Sequence, residues 1–527
     1  MQRPWTEVAK AKREERQARI CNHSQRLSDS DTQAQITRID SVKFLTDQLE
    51  KGHVSAEEVV VAYVAKACKA QAETNCLTEI CFDDAIAQAR ELDTFRKNEG
   101  RLKGPLHGVP MSLKDQFNVK GYDSTLGYVG RAFKPAASDA LLVEVLKELG
   151  AIIIAKTNLP QSIMWAETEN PLWGLTTHPK NPRLTPGGSS GGEAALLALQ
   201  GSLVGWGTDI GGSIRIPSHM NGLWGFKPSS GRMSYQGVEV STDGQQHVPS
   251  AVGPMARSLE SIIITTRAVL NSKLWNMDAQ LPPIPWAQDV LEDFSQKSLV
   301  IGLMLDDGTV RVHPPIARVF QDLIAKLRKA GHEIVDWDTS LNAECVGIQD
   351  RYYTADGGED IRRAVAEGGE PFLPHVEALV NRAPALSVYE YWQLNKKKVA
   401  AQQSYLRLWS EIQTPSGRPI DVLLAPTFPH TAVPHRTLRW AGYTKLFNLL
   451  DYSALSFPAG KVTKGLDPAV LPEYEPRNPM DAWNWQLYDL DLMEGHDIGL
   501  QIIGRRLEEE KVLGAALQIE RLLKSPS

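Results

Sequence analysis

Apolar and charged positions alternate at helical spacing over residues 4–20, with Pro4 at the start, which predicts a short, mostly solvated helix. Residues 34–99 carry helical periodicity in longer stretches and read as a set of helices. Within them, Ser55-Ala-Glu-Glu58 fits a capping box, a Ser followed three positions later by Glu. The pattern then changes. His107 to Lys114 is a short apolar run with β character, set off by Gly104-Pro105. Residues 139–149 form an amphipathic helix stopped by Gly150, and Ala151-Ile-Ile-Ile-Ala155 reads as a buried strand. Helix and strand alternate again at 191–201 and 202–206. Further strands are expected at Leu299–Met304, 333–337, Val422–Ala425 and Ile498–Ile503, with a helix over 507–524 at the end. This alternation argues for an α/β layered fold behind a helical N-terminal layer. A boundary near residue 75 would divide a helical region, 1–75, from a catalytic domain, 76–527.

Bulk properties narrow the function. The chain has 527 residues, net charge −6 and a sequence pI near 6.1, with no basic face to suggest a nucleic-acid partner. The N-terminal twenty residues carry charges but no apolar core of a signal peptide. No apolar run approaches the roughly 20 residues that cross a bilayer. A cytoplasmic location without a transmembrane anchor is the expectation. The five cysteines match no metal motif and read as reduced thiols. No cofactor and no metal site are expected, and His430 with His435 lies five apart in a proline-rich loop. Assembly is left open, with a homodimer admitted.

Candidate chemistry concentrates in residues 186–218, PGGSSGGEAALLALQGSLVGWGTDIGGSIRIPS. Two glycine–serine clusters flank one helix, so two tight backbone segments, each with a serine, come close together. A phosphate-binding loop would need Gly-Lys-Ser/Thr, which is absent. A dinucleotide fingerprint fails because the third glycine falls at Gly211 instead of position 210. Gly188-Ser-Ser190-Gly-Gly192 does match the G-x-S-x-G elbow of an α/β-hydrolase esterase, with Asp451 or Asp491 and His496 as partners. Against it, the residues before Gly187, HPKNPRLTP, form a loop and not a strand.

The sequence resembles the amidase-signature family more closely. The resemblance rests on Gly187–Glu193 (GGSSGGE), Gly207–Pro217 (GTDIGGSIRIP), Gly104–Asp115 (GPLHGVPMSLKD), Thr157–Ser162 (TNLPQS), Gly225–Ser229 (GFKPS) and Gly499–Arg505 (GLQIIGR). These blocks keep the family's order across residues 55–510, and the look is nearest to fungal acetamidases. The resemblance implies a layered α/β/α fold with a mixed central sheet, and an amidase that converts a non-peptide carboxamide to an acid and ammonia or an amine. It implies a Ser-Ser-Lys triad: Ser213 as nucleophile, Ser189 as proton relay after a cis peptide bond, and Lys114 as base.

That set is chemically sensible. A serine hydroxyl needs a base to take its proton. A lysine serves once burial has made it neutral, and the run Val109–Leu113 before Lys114 is apolar. A second hydroxyl between them both accepts and donates. The backbone of Ile210, Gly211, Gly212 and Ser213 suits an oxyanion hole. Asp209 and Arg215 are expected to brace this loop as a buried pair, and Ser190 to stand behind the triad. The segment containing Ile163 and Met164 is expected to line the acyl side of the pocket, with Ser189 and Ser213 at its reactive end. Aromatic candidates for the same pocket are Trp173, Tyr352, Tyr353, Trp392, Trp440, Tyr443 and Trp485. Two other readings are a Ser190 esterase and an amidotransferase-like subunit.

Overall fold

The structure, a computed structural model, describes residues 3–24, 31–471 and 473–525. Eleven strands build one sheet. In chain order they are β1 (Leu77–Ile80), β2 (Pro110–Lys114), β3 (Ile152–Thr157), β4 (Val204–Asp209), β5 (Trp224–Lys227) and β6 (Ala251–Ala256). They continue with β7 (Val300–Leu303), β8 (Glu333–Asp336), β9 (Val422–Pro426), β10 (Ala454–Lys461) and β11 (Asp497–Ile503). Their spatial order is β1-β3-β2-β4-β6-β5-β10-β11-β9-β7-β8. Pairs β2/β3, β2/β4, β7/β8 and β7/β9 are parallel, and the rest are antiparallel. The sheet is therefore mixed, as the family resemblance implied. Residues of β2, β3, β4, β6 and β11 are buried throughout, because helices cover both faces.

Local signals hold where they are strong. Ser55 and Glu58 form the capping box that starts the Ala56–Thr74 helix. The stretch 34–99 is not wholly helical, however: β1 interrupts it. Four residues are too few for periodicity to mark a strand, and Leu77–Ile80 becomes one only by pairing with β3. Strands β5, β6 and β10 were likewise outside the sequence expectation.

The N-terminal helix differs most from its expected character. It runs Trp5–Ser24, and its Lys12 and Arg16 are buried instead of solvated. Lys12 Nζ lies 2.7 Å from Glu79 and 2.8 Å from Asp123. Burial opposes the ammonium, but the two carboxylates outweigh it and hold the Lys12 pKa above its ordinary value. Arg16 donates to the carbonyl of Leu77 in β1 and to Asn75 Oδ1 at 2.9 Å. Both acceptor sites come from segments more than fifty residues away, so local sequence made this face look solvent-directed. Among the described residues no helix is long and apolar enough to cross a membrane.

Candidate active site

Parallel strands β3, β2 and β4 end at the same edge of the sheet, the place where α/β folds present ligand-binding groups. Lys114 is the last residue of β2, and Thr208 and Asp209 are the last of β4. The two glycine–serine clusters follow at this edge. One leads into the Gly191–Ala198 helix and the other into the Arg215–Asn221 helix. The amide of Ser190 donates to the carbonyl of Ser213 at 3.1 Å, which ties the clusters together.

Lys114 Nζ lies 2.6 Å from Ser189 Oγ and 3.0 Å from Thr208 Oγ1. Thr208 in turn donates to Gln116 Oε1 at 2.7 Å, so its oxygen faces the lysine as an acceptor. Lys114 is fully buried, and desolvation pushes its pKa down to about 7 against the pull of Asp209, Glu193 and Asp115. A substantial share of the amine is therefore neutral near pH 7 and able to accept a proton. Glu193, from the same motif, is also buried, and burial raises its carboxyl to about 8 although Ser112 and Thr157 both donate to it. Glu193 and Lys114 thus act on each other's protonation, each favouring the charged form of the other against burial.

Ser189 is buried behind the cis Gly188–Ser189 bond, while Ser213 is the most accessible of the three at 9% exposure. Among the described residues Ser213 Oγ has no hydrogen-bond partner, and its side chain lines a cavity of about 90 Å³. Its loop is held from below. Arg215 and Asp209 are both fully buried and paired at 2.9 Å. Desolvation works against the Asp209 carboxylate, but Arg215 overcomes it and holds the pKa well below the usual range. Asp209 also accepts from the amides of Gly212 at 2.7 Å and Ile214 at 3.1 Å, and from Asn448 at 2.9 Å. The Gly212 N–H is thus already used. The amides of Ile210, Gly211 and Ser213 have no acceptor among the described residues and are free to bind an incoming oxygen. Gly212 has φ +127°, and a Cβ there would collide with Thr444, whose hydroxyl bonds the Gly211 carbonyl at 2.6 Å.

Ile163 and Met164 line the cavity together with Trp165, Ile216 and Leu438. Ser162 and Ile163 both hold positive φ, +70° and +59°, a conformation costly for a β-branched residue. Of the seven aromatic candidates only Tyr353 reaches this cavity, where it donates to the Ile210 carbonyl at 2.9 Å. Trp173 packs instead with Trp5 and Val8 of the N-terminal helix.

The elbow reading finds little to support it. Ser190 is buried, its Oγ has no partner, and it does not line the cavity. His496 Nδ1 contacts the Met493 carbonyl. Asp451 is engaged by Ser230 and Arg506, and Asp491 by Lys464. Neither acid is bonded to His496. Among the described residues no group of three or more His, Cys, Asp or Glu is placed to hold a metal. Residues that sequence reasoning did not assign are Thr208, Thr444, Asn448, Lys445 and Arg439. Thr208 sits inside the T-D-I-G-G-S motif, but the others approach only through the tertiary fold.

Comparison with known proteins identifies the family. Residues 58–513 match the model of the Amidase family. The chain is 63% identical over 523 residues to "Amidase 1" of Gibberella moniliformis, covering 99% of this chain and all of that protein. It is 37% identical over 499 residues to an acetamidase of Emericella nidulans, covering 94% of this chain and 91% of that one. Among solved structures it is similar to a fatty acid amide hydrolase, with TM-score 0.89 and 31% identity, over 100% of this chain and 91% of that one. The chain belongs to the amidase-signature family and is an amide hydrolase.

Proposed function

We propose that the enzyme hydrolyses a linear, non-peptide carboxamide through an acyl-enzyme on Ser213, with Ser189 as relay and Lys114 as base. The observation that carries this reading is the buried lysine, with a pKa near 7, 2.6 Å from Ser189 Oγ.

Ser213 Oγ attacks the amide carbon while Ser189 takes its proton and passes its own to neutral Lys114. The carbonyl oxygen becomes an oxyanion held by the free amides of Ile210, Gly211 and Ser213. As the C–N bond breaks, Ser189 gives its proton to the leaving nitrogen and is reprotonated from Lys114. Ammonia or an amine departs and an ester to Ser213 remains. Water then attacks that ester through the same relay, which releases the carboxylic acid and restores Ser213. Asp209 and Arg215 position the loop and take no part in proton transfer.

The cavity of about 90 Å³ favours a short acyl group, being smaller than a cavity of roughly 150 Å³ that holds one benzene ring. On this reading residues 1–75 form a helical layer packed on a catalytic domain of residues 76–527. The test is labelling with a serine-reactive fluorophosphonate, followed by peptide mass spectrometry, and a substrate panel scored by ammonia and amine release. Label on Ser213, lost in Ser213→Ala together with amide turnover, is expected. Label on Ser190 with activity intact in Ser213→Ala would overturn it.

A further inference from the structure

The walls of the cavity beside Ser213 are apolar, but its charged lining is of one sign. Arg382, Arg439 and Lys445 line it, and no acidic side chain does. Asp350 is the nearest balancing charge: Lys445 Nζ lies 2.6 Å from it and Arg382 Nη1 3.8 Å. One carboxylate therefore serves two of the cations. Arg439 makes no ion pair and no hydrogen bond among the described residues. Its guanidinium stacks instead on Trp483, 3.3 Å from the ring centre. Trp483 is itself fixed by an Nε1–H bond to the Thr437 carbonyl at 2.8 Å. The stack holds the guanidinium plane and leaves its N–H edge unused, the arrangement suited to a bidentate carboxylate.

Lys445 sits closer to the reactive end. Its Cγ would lie 3.5 Å from a Cβ on Gly211, beside one of the free amides, and its Nζ lies 5.4 Å from the Tyr353 ring centre. The cavity thus runs from Ser213, past an apolar wall, to cations that outnumber their acidic partner. A neutral amide would use the apolar wall and leave Arg439 without an anion. Free cations of this kind also raise the encounter rate of an anionic ligand, an effect that salt removes.

Building on the amidase reading of Ser213, we propose that the cavity includes a carboxylate-binding subsite formed by Arg439 and Lys445. The substrate it fits is a short amide whose acyl or amine part ends in a carboxylate, such as the monoamide of a small dicarboxylic acid.

The experiment compares matched pairs with the purified full chain: succinamic acid against butyramide, and 4-carboxyacetanilide against acetanilide, each by kcat/KM. The anionic member is expected to exceed its neutral partner at least tenfold in one pair. Arg439→Ala should cut that ratio by tenfold or more, mainly through KM, while Arg439→Lys restores part of it. Raising the ionic strength to 0.5 M should compress the ratio in the wild type. Thermal denaturation checks that the variants fold, and Lys445→Gln gives an independent variant should Arg439→Ala not. A wild type that prefers the neutral member of both pairs, or a ratio unmoved in both variants, overturns the subsite. Fluorophosphonate labelling of Ser213 separates the two readings. Label present with no carboxylate preference sinks the subsite alone, whereas label absent from Ser213 sinks the nucleophile assignment.

Discussion

At the scale of the residue, the proposed chemistry turns on one proton site. On the proposed mechanism Lys114 acts as base only when neutral, and burial lowers its pKa from the ordinary lysine value to about 7. Activity should therefore rise with pH through about 7 and level off above it, because the amine loses its proton on that limb. Measured kcat/KM against pH checks the sign; a rate that falls across this window would exclude the neutral-lysine base. Lys114→Ala should lower the amide rate by two or more orders of magnitude, on the order of general-base contributions, and flatten the limb. Lys114→Arg should not rescue it, since a guanidinium stays protonated. A matched ester should lose less than the amide, because an alkoxide leaves without the proton that an amine requires. The same mechanism calls for no metal-bound nucleophile, so the rate should be unchanged after EDTA and dialysis. Loss in EDTA with recovery on adding a divalent ion would contradict this.

At the scale of the element, the loop after β4 is a small structure with its own foundation. Asp209 sits at the strand end and gathers three backbone amides, the Arg215 guanidinium and Asn448 around one buried carboxylate. Removing Arg215 leaves that charge without its partner at full burial, which costs roughly 3–5 kcal/mol. Arg215→Ala should lower the free energy of unfolding in denaturant by that amount and abolish turnover together, because the amides of Ile210, Gly211 and Ser213 lose their frame. A variant of unchanged stability would show that the pair is not the brace. Gly212 belongs to the same construction. An alanine there would need φ near +127° and would push its methyl into Thr444, so Gly212→Ala should reduce kcat more than it reduces stability.

At the scale of the whole molecule, the N-terminal helix clasps the edge of the sheet. Lys12 reaches Glu79 of β1 and Asp123 of the loop after β2, both nearly fully buried, besides the partly exposed Glu15 of its own helix. Lys12→Met would leave two buried carboxylates without their direct cation, with Arg19 4.0 Å from Glu79 and the more remote Lys156 as the remaining positive charges. A loss of roughly 3–5 kcal/mol is expected at pH 8. The loss should shrink toward pH 5. Burial already raises the Glu79 pKa while Lys12 lowers it, so without Lys12 the carboxyl takes up a proton more readily and sheds its unpaired charge. Urea unfolding of both proteins at the two pH values checks this; a pH-independent difference would point to packing instead of charge.

The sequence by itself determined the fold class and the family, and it supplied the residues of the proposed catalytic edge. Glycine-rich turns, capping residues and apolar runs act over a few positions, so the Ser55–Glu58 cap, strand β2 and the two serine clusters were legible from local pattern. Motif order then linked Lys114, Ser189 and Ser213, although 75 residues separate the lysine from the relay serine. The tertiary structure decided what depends on distant partners. It made Leu77–Ile80 a strand, turned the charged face of the first helix inward, spent the Gly212 amide on Asp209, and brought Arg439 and Lys445 into the lining of the cavity. The physical reason is the same in each case. Hydrogen bonding and burial are settled by whichever groups meet in space, and a periodic pattern carries no information about a partner far along the chain.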